Sequence, residues 1–324
     1  MPTVRILEAR PWAAATWVGL LLCAALQPPT ARAETRGGAF ADITPSARAA
    51  ALGGAMAALS QGSEALFANP AGLLGADRPE AVFSYADLYD LGIVAHSAAR
   101  LSWPILGKQV VWERGNIQHV RRAPPADKCF ALGVARVGAN LDLDSYSETQ
   151  VALGYAFRLP AHVRGGFTYR FLLAQSDLED VGATGHAVDV GTERDLGAFR
   201  LGVAARGLFS AVNWERGANE PIRPRWLFGL AWRGFGERLQ VSAQGDLGGE
   251  SATFDQAIGS VEFRPRPEFA LRAGWRHRED PAKSFDDSSA GFGVALLGLR
   301  VDYAAEIPAS ELGATHRVSV GLGL

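Results

Sequence analysis

The final eight residues of the chain, Arg317–Leu324, read RVSVGLGL. Aliphatic side chains alternate here with small or polar ones, and a period of two is typical of a β-strand whose two faces meet different surroundings. In an open sheet such a terminal strand would leave an exposed edge, whereas closing the sheet into a barrel removes that edge. This stretch therefore favours a closed β-barrel.

The same alternation recurs throughout residues 79–324. In Phe199–Ala205, for example, Phe, Leu, Val and Ala alternate with Arg, Gly and Ala. We count about fourteen such runs of roughly 8 to 12 residues, close to the ~9–11 residues of a tilted membrane strand, and an even number fits a bacterial outer-membrane barrel. The predicted fold class is all-β, an antiparallel transmembrane β-barrel of about 14 strands.

One face of the predicted strands carries large aliphatic and aromatic residues, and the other carries glycine, serine, alanine and many arginines. We expect the apolar face to contact lipid and the other face to line the lumen. Periodicity alone leaves a soluble β-sandwich open, because its apolar faces would form the core between two sheets. The arginines predicted for a polar luminal wall are Arg164, Arg170, Arg200, Arg206, Arg272 and Arg276.

Residues 1–33 have the pattern of a secretory signal peptide. A basic N-terminal stretch precedes an apolar run from Trp12 to Leu26, and the triplet Ala31–Ala33 (ARA) resembles a cleavage signal. The run is shorter than the ~20 apolar residues that a membrane-spanning helix requires. We therefore predict cleavage near Ala33 and export to the outer membrane of a Gram-negative bacterium.

Residues 34–78 differ in character from the rest of the chain. They are rich in alanine and glycine, and the helix-prone stretch 45–59 is interrupted at Gly53 and Gly54. Large apolar side chains are few, so this segment cannot form a core of its own. We expect it to pack against another part of the protein.

Three short motifs resemble one family. Ser46–Ala55 (SARAAALGGA), Ala65–Leu73 (ALFANPAGL) and Leu312–Arg317 (LGATHR) resemble PorV/PorQ-type outer-membrane proteins, which are similar to FadL-type long-chain fatty-acid transporters. The resemblance implies a barrel (79–324) whose N-terminal segment (34–78) folds back into the lumen as a plug, or hatch. The plug motif that it implies is Asn69, Pro70, Ala71 and Gly72.

The inward arginines then have several possible roles. They could donate hydrogen bonds to plug carbonyls, because Pro70 and nearby glycines leave backbone acceptors unpaired. They could form a purely structural network with carboxylates such as Asp246 and Asp302. They could also line a path for an amphipathic anion such as a fatty acid, since the guanidinium fork suits carboxylates and phosphates.

The motifs of several enzyme classes are missing from the sequence. It contains no Gly-x-Ser-x-Gly, Walker loop, His-Glu-x-x-His or cysteine pair with metal spacing, and we predict no enzyme, no cofactor and no metal site. A net charge of −2 gives no electrostatic footprint for nucleic acid.

The predicted function is passive transport of hydrophobic or amphipathic small molecules across the outer membrane. The alternative is a non-transporting, PorV-like partner protein of a protein-secretion or cell-surface assembly system. The partners expected are outer-membrane lipid, a hydrophobic or acyl ligand and, under the alternative, secretion-system proteins.

Overall fold

The structure is a computed structural model in which a closed β-barrel surrounds a short N-terminal segment. It describes residues 40, 45–106, 112–114, 117–119, 126–140, 145–177, 182–215, 217, 222–248, 254–279, 284–309 and 312–324. The predicted signal peptide, residues 1–33, lies outside the described residues.

Within these residues the chain forms sixteen strands, fourteen of which belong to the barrel. They are β1 (Glu80–Asp87), β2 (Val94–Leu106), β3 (Trp112–Arg114), β4 (Ile117–His119), β5 (Ala126–Asn140), β6 (Ser145–Arg158), β7 (Val163–Ser176), β8 (Ala183–Leu196), β9 (Phe199–Trp214), β10 (Arg225–Gly234), β11 (Leu239–Leu247), β12 (Phe254–Arg266), β13 (Phe269–Arg278), β14 (Phe285–Leu296), β15 (Leu299–Ile307) and β16 (Thr315–Gly323). Strands β3 and β4 form a separate two-stranded sheet.

Every barrel strand pairs antiparallel with its neighbours in chain order, and the ring closes between the first and last strands. Val82 of β1 lies opposite Gly321 of β16 on one side and Arg100 of β2 on the other. The terminal strand β16 has a partner on both edges, β1 on one side and β15 on the other. The predicted barrel of about 14 antiparallel strands is confirmed.

The two faces of the strands divide as the sequence pattern predicts. In β16, Val318 is 43% exposed on the outside, whereas Arg317 is 1% exposed on the inside. The same contrast separates outward Leu101 from inward Arg100 on β2. In a sandwich the aliphatic face would be buried, so these exposed aliphatic residues agree with a lipid-facing surface instead.

The two ends of the barrel differ in their connections. At the turn end, where β1 begins and β16 ends, residues 197–198, 267–268 and 297–298 each connect two strands. Gly197 there has a φ of +63°, which a glycine adopts without steric cost. The 107–125 connection, which carries β3 and β4, is a long exception at the same end. The opposite, loop end has longer connections, such as 215–224.

A short N-terminal segment, residues 45–76, packs against the inner wall and is here named the inner segment. It contains helix α1 (Ala47–Ala51) and two 3-10 helices, η1 (Gly62–Phe67) and η2 (Pro70–Gly75). Helix α1 contacts β13 to β16, whereas η1 and η2 contact the opposite strands from β1 to β8. A segment that touches opposite sides of a closed barrel lies in its lumen. No helix among the described residues is long and apolar enough to cross a membrane.

Local sequence explains why these helices are short. Ser46 caps α1, because its Oγ accepts a hydrogen bond from the Ala49 amide at 3.3 Å. The helix ends before Gly53 and Gly54, which have φ values of +66° and +90°. The chain can therefore reverse direction several times within the width of the lumen.

Candidate functional site in the barrel lumen

The predicted plug motif lies at the centre of the contact between the inner segment and the wall. Asn69 is fully buried and uses both ends of its amide. Its Nδ2 donates to the carbonyls of Ala57 at 2.6 Å and of Thr192 on β8 at 3.2 Å. Its Oδ1 accepts from the Ala71 amide at 3.2 Å and so caps η2. One side chain thus connects two turns of the inner segment and fixes both to the wall.

The motif backbone approaches the wall where the wall carries glycine. A Cβ added to Gly166 of β7 would lie 2.5 Å from the carbonyl carbon of Pro70, and one added to Gly191 of β8 would overlap Oδ1 of Asn69. Gly72 itself has no room for a side chain beside Ser60. The wall glycines that contact the inner segment in this way are Gly133, Gly154, Gly166, Gly191, Gly202, Gly229, Gly274 and Gly291.

The six predicted wall arginines all lie on the inner face, but they do not form one site. Arg164, at 3.1 Å from Glu193, and Arg200, at 2.7 Å from Asp195, belong to one cluster. The others pair elsewhere on the wall. Arg170, at 2.8 Å, and Arg206, at 3.9 Å, share Asp189. Arg272 pairs with Glu262 at 2.6 Å and Asp302 at 2.8 Å, and Arg276 pairs with Asp287 at 3.6 Å and Glu306 at 3.9 Å.

Hydroxyl groups of the wall donate to carbonyls of the inner segment. Thr168 donates to the carbonyl of Leu66 at 3.1 Å, and Ser289 donates to that of Ala51 at 3.1 Å. The expected structural network is present in part, because Asp302 accepts from Arg272. Asp246, the other carboxylate expected in it, lies 3.9 Å from Nε of Arg225 and accepts from Gln244 Nε2 at 2.8 Å.

Sequence reasoning missed the ion pairs that connect the inner segment to the wall. Arg48 of α1 pairs with Glu64 of η1, and its Nε lies 3.0 Å from Oε2 of Glu262 on β12. Arg272 reaches the same Oε2 at 2.6 Å, so Glu262 joins a cation of the segment to a cation of the wall. Ser46 adds a hydrogen bond to Glu64 at 3.0 Å. We call Arg48, Glu64, Glu262 and Arg272 the central ion network.

Charge balance favours the ionised state of the two partners from the inner segment. Burial by itself would raise the pKa of Glu64, but the cations Arg48, Arg300 and Arg100 hold that pKa below its usual range. Burial would likewise lower the pKa of Arg48, yet Glu262 and Glu64 raise it above its ordinary value. The sequence contains one sign of this network. The inner segment has a single arginine and a single glutamate among many alanines, and buried charges of this kind require partners.

The loop half of the lumen contains a packed cluster of apolar side chains around Phe40, here named the apolar chamber. Phe40, which is 3% exposed, lies among the buried side chains of Leu172 and Val212. The Phe40 amide donates to Glu148 Oε2 at 2.5 Å. The other residues that line this chamber are Ala174, Ala183, Ala187, Tyr146, Trp214 and Ile222.

The apolar chamber differs in composition from the polar wall around the central ion network. The chamber surrounds the phenyl ring of Phe40 with aliphatic and aromatic side chains, so its polarity suits an apolar group. Among the described residues no group of three or more His, Cys, Asp or Glu side chains is arranged to hold a metal ion.

Comparison with known proteins identifies structural relatives only. No protein-family model matches the chain, and no curated protein matches it. The solved structure of the CymD monoaromatic hydrocarbon channel has a TM-score of 0.63 at 12% identity, covering 88% of this chain and 99% of that one.

Two further structures are similar. The toluene transporter TodX of Pseudomonas putida has a TM-score of 0.58 at 12% identity, covering 88% of this chain and 98% of that one. A FadL homologue of Pseudomonas aeruginosa has a TM-score of 0.57 at 11% identity, covering 87% and 98%. The chain therefore shares the barrel fold of these hydrocarbon channels and of the FadL homologue.

Proposed function

We propose that this protein is an outer-membrane channel for passive passage of hydrophobic or amphipathic small molecules. The observation that carries the proposal is the apolar chamber around Phe40. The lumen of an outer-membrane barrel is normally polar, so aliphatic and aromatic residues facing inward need a reason of their own. In the structure they pack around the ring of Phe40, and an apolar molecule on its way through the barrel would take the place of that ring.

The outer surface and the barrel ends give the orientation. The exposed aliphatic face belongs in the outer membrane, and the turn end faces the periplasm, because barrels of this class have short periplasmic turns and longer external loops. The chamber then lies in the external half of the lumen, where a molecule from outside arrives first. A signal peptide at residues 1–33 would deliver the chain to this location.

Residues 34–78 act as the plug of this channel, and residues 79–324 form its wall. Asn69, Pro70, Ala71 and Gly72 hold the plug against β7 and β8, and the central ion network holds it against β12 and β13. The wall arginines serve mainly to balance wall carboxylates. Net movement through the lumen follows the concentration gradient, since nothing in the proposed mechanism couples it to an energy source.

The known activities of similar structures agree with this proposal. CymD is described as a monoaromatic hydrocarbon channel and TodX as a toluene transporter. We extend the class of ligand, small hydrophobic molecules, to this chain. The PorV/PorQ part of the resemblance and the role as a secretion partner gain no support from the comparisons, and the chamber favours transport.

The proposal is tested by binding of radiolabelled toluene to the purified, detergent-solubilised protein. Ala187→Trp adds an indole ring inside the chamber, whereas Ala243→Trp adds the same ring on the outer face and serves as the matched control. We expect the first variant to lose toluene binding and the control to retain it. Retained binding in Ala187→Trp, with a heat-dependent gel shift that shows a folded barrel, would contradict the chamber as the site.

A further inference from the structure

A cavity lies at the turn end of the barrel, at the opposite end from the apolar chamber. It has a volume of about 380 Å³ and lies between Leu74 at the end of η2, the β6–β7 turn and the end of β8. Ala161 and Leu74 give it apolar walls. This volume is near the lower limit for sites that hold small organic ligands, about 300 Å³.

Basic groups dominate the rest of its lining. Arg158, Arg164, Arg194 and His162 line the cavity, and Asp195 is its only acidic lining residue among those described. Arginine side chains gathered around one cavity attract anions, because the low-dielectric walls focus their positive potential.

The charge of Asp195 is already engaged by three guanidinium groups. Its Oδ1 lies 2.7 Å from Arg200 Nε and 2.7 Å from Arg233 Nη2, and its Oδ2 lies 3.0 Å from Arg164 Nη2. A carboxylate shared in this way cannot neutralise all of its partners. Arg194 also lines the cavity, is exposed, and has no ion-pair partner within the described part of the chain.

Nearby carboxylates do not restore the balance. Glu193 pairs with Arg164 at 3.1 Å, and the exposed Asp127 lies 3.5 Å from Arg158. Among the described residues the cluster therefore contains five arginines and three carboxylates. The arginines are Arg158, Arg164, Arg194, Arg200 and Arg233, and the carboxylates are Asp127, Glu193 and Asp195.

One buried donor in this cluster has no acceptor. Arg200 is 5% exposed, and its Nη1 has no hydrogen-bond partner in the described residues although its Nε is bonded to Asp195. A buried guanidinium N–H without an acceptor is costly, so the carboxylates of this cluster leave some of its donors unused.

We propose that this turn-end cavity binds a small organic carboxylate. The carboxylate would accept hydrogen bonds from Arg158 and Arg194, whose planar guanidinium groups suit such a partner. Its apolar body would contact Leu74 and Ala161. The site is separate from the apolar chamber, and it does not depend on the proposed passage of neutral hydrocarbons.

Isothermal titration of the detergent-solubilised protein tests the proposal with benzoate and with benzamide, its uncharged analogue. We expect benzoate to bind and benzamide to bind at least about tenfold more weakly, since only the former makes charge-assisted hydrogen bonds. Arg158→Gln and Arg194→Gln should each weaken benzoate binding about tenfold. Arg266→Gln, an exposed arginine at the same end of the barrel, should leave it unchanged.

Two further measurements distinguish the turn-end cavity from the apolar chamber and from a general anion site. Benzoate binding should persist in Ala187→Trp, because that substitution adds its ring inside the apolar chamber; its loss there would overturn the turn-end location. Equal binding of benzamide, or an equal effect of Arg266→Gln, would overturn recognition of a carboxylate. Competition by inorganic phosphate at the same concentration as benzoate would overturn the assignment of an organic ligand.

Discussion

Replacing Arg48 by methionine removes the cation that joins the inner segment to the wall. Met retains much of the length of the side chain but leaves Glu64 and Glu262 without their shared partner. Both carboxylates are at most 5% exposed, so water cannot replace the guanidinium group without structural change. The inner segment should therefore detach more often from β12, while the barrel itself remains closed.

The expected magnitude follows from burial of the network. Removing one partner of a buried ion pair costs about 3–5 kcal/mol, and even the lower value raises the detached population by about 100-fold. Arg278→Met is the matched control, because Arg278 pairs with Asp287 at 2.8 Å but its side chain is 42% exposed. An exposed pair contributes at most about 1 kcal/mol.

Hydrogen exchange followed by mass spectrometry measures this difference directly. In Arg48→Met, amides of residues 45–76 should lose about 100-fold of their protection, whereas those of β6 and β7 keep theirs. Adding Glu64→Gln to Arg48→Met should restore part of the protection, because it neutralises the carboxylate that has lost its ion-pair partner, whereas Glu262 keeps Arg272 at 2.6 Å. Unchanged protection of the inner segment in Arg48→Met, or an equal loss in Arg278→Met, would refute the role of the central ion network.

Three other predictions concern the same lumen. Gly191→Val should displace Asn69 and reduce the hydrogen-exchange protection of residues 45–76. Gly259→Val, where an added Cβ meets open space, should leave that protection unchanged. Similar effects of both substitutions would contradict close packing at Gly191. Phe40→Ala should tighten toluene binding roughly tenfold, because toluene no longer has to displace a buried phenyl ring, whose burial contributes about 1.5–3 kcal/mol. Weaker binding would show instead that Phe40 is part of the site. Because the pKa of Glu64 lies below its ordinary value of 4.5, its ionisation stabilises the docked segment above about pH 4.5 and that contribution is lost as pH falls through the lowered pKa. Pepsin cleavage within the inner segment should accelerate over that acid range, and Glu64→Gln should show a smaller change; the same acid dependence in both proteins would contradict the assignment.

The sequence predicts the barrel well because each strand separates two different surroundings. Alternation in Arg317–Leu324 reflects lipid on one side and the inner segment on the other, and both preferences are visible in residue type alone. The predicted runs of 8 to 12 residues are too short for β9, which has 16 residues. Its pairing with β8 shifts register near Val188, and a bulge of this kind interrupts the alternation on which the prediction depends.

The position of the inner segment could be predicted only in outline. Small inward residues such as Gly166 and Gly191 indicate close approach of another backbone, and the alanine-rich segment is the natural candidate. The central ion network could not be predicted, because Arg48 and Glu262 are 214 residues apart and meet only after the barrel has closed. The apolar chamber was missed for a similar reason, since Leu172 and Val212 interrupt otherwise polar or small inward faces.

The central claim is that hydrophobic molecules cross the outer membrane through this lumen. The most direct measurement compares initial uptake of radiolabelled toluene and of a sugar of similar size in Gram-negative cells that express or lack the protein. We expect faster toluene uptake with unchanged sugar uptake, and loss of the increase in Ala187→Trp. Unchanged toluene uptake, or equal acceleration of both compounds, would contradict a channel selective for hydrophobic molecules.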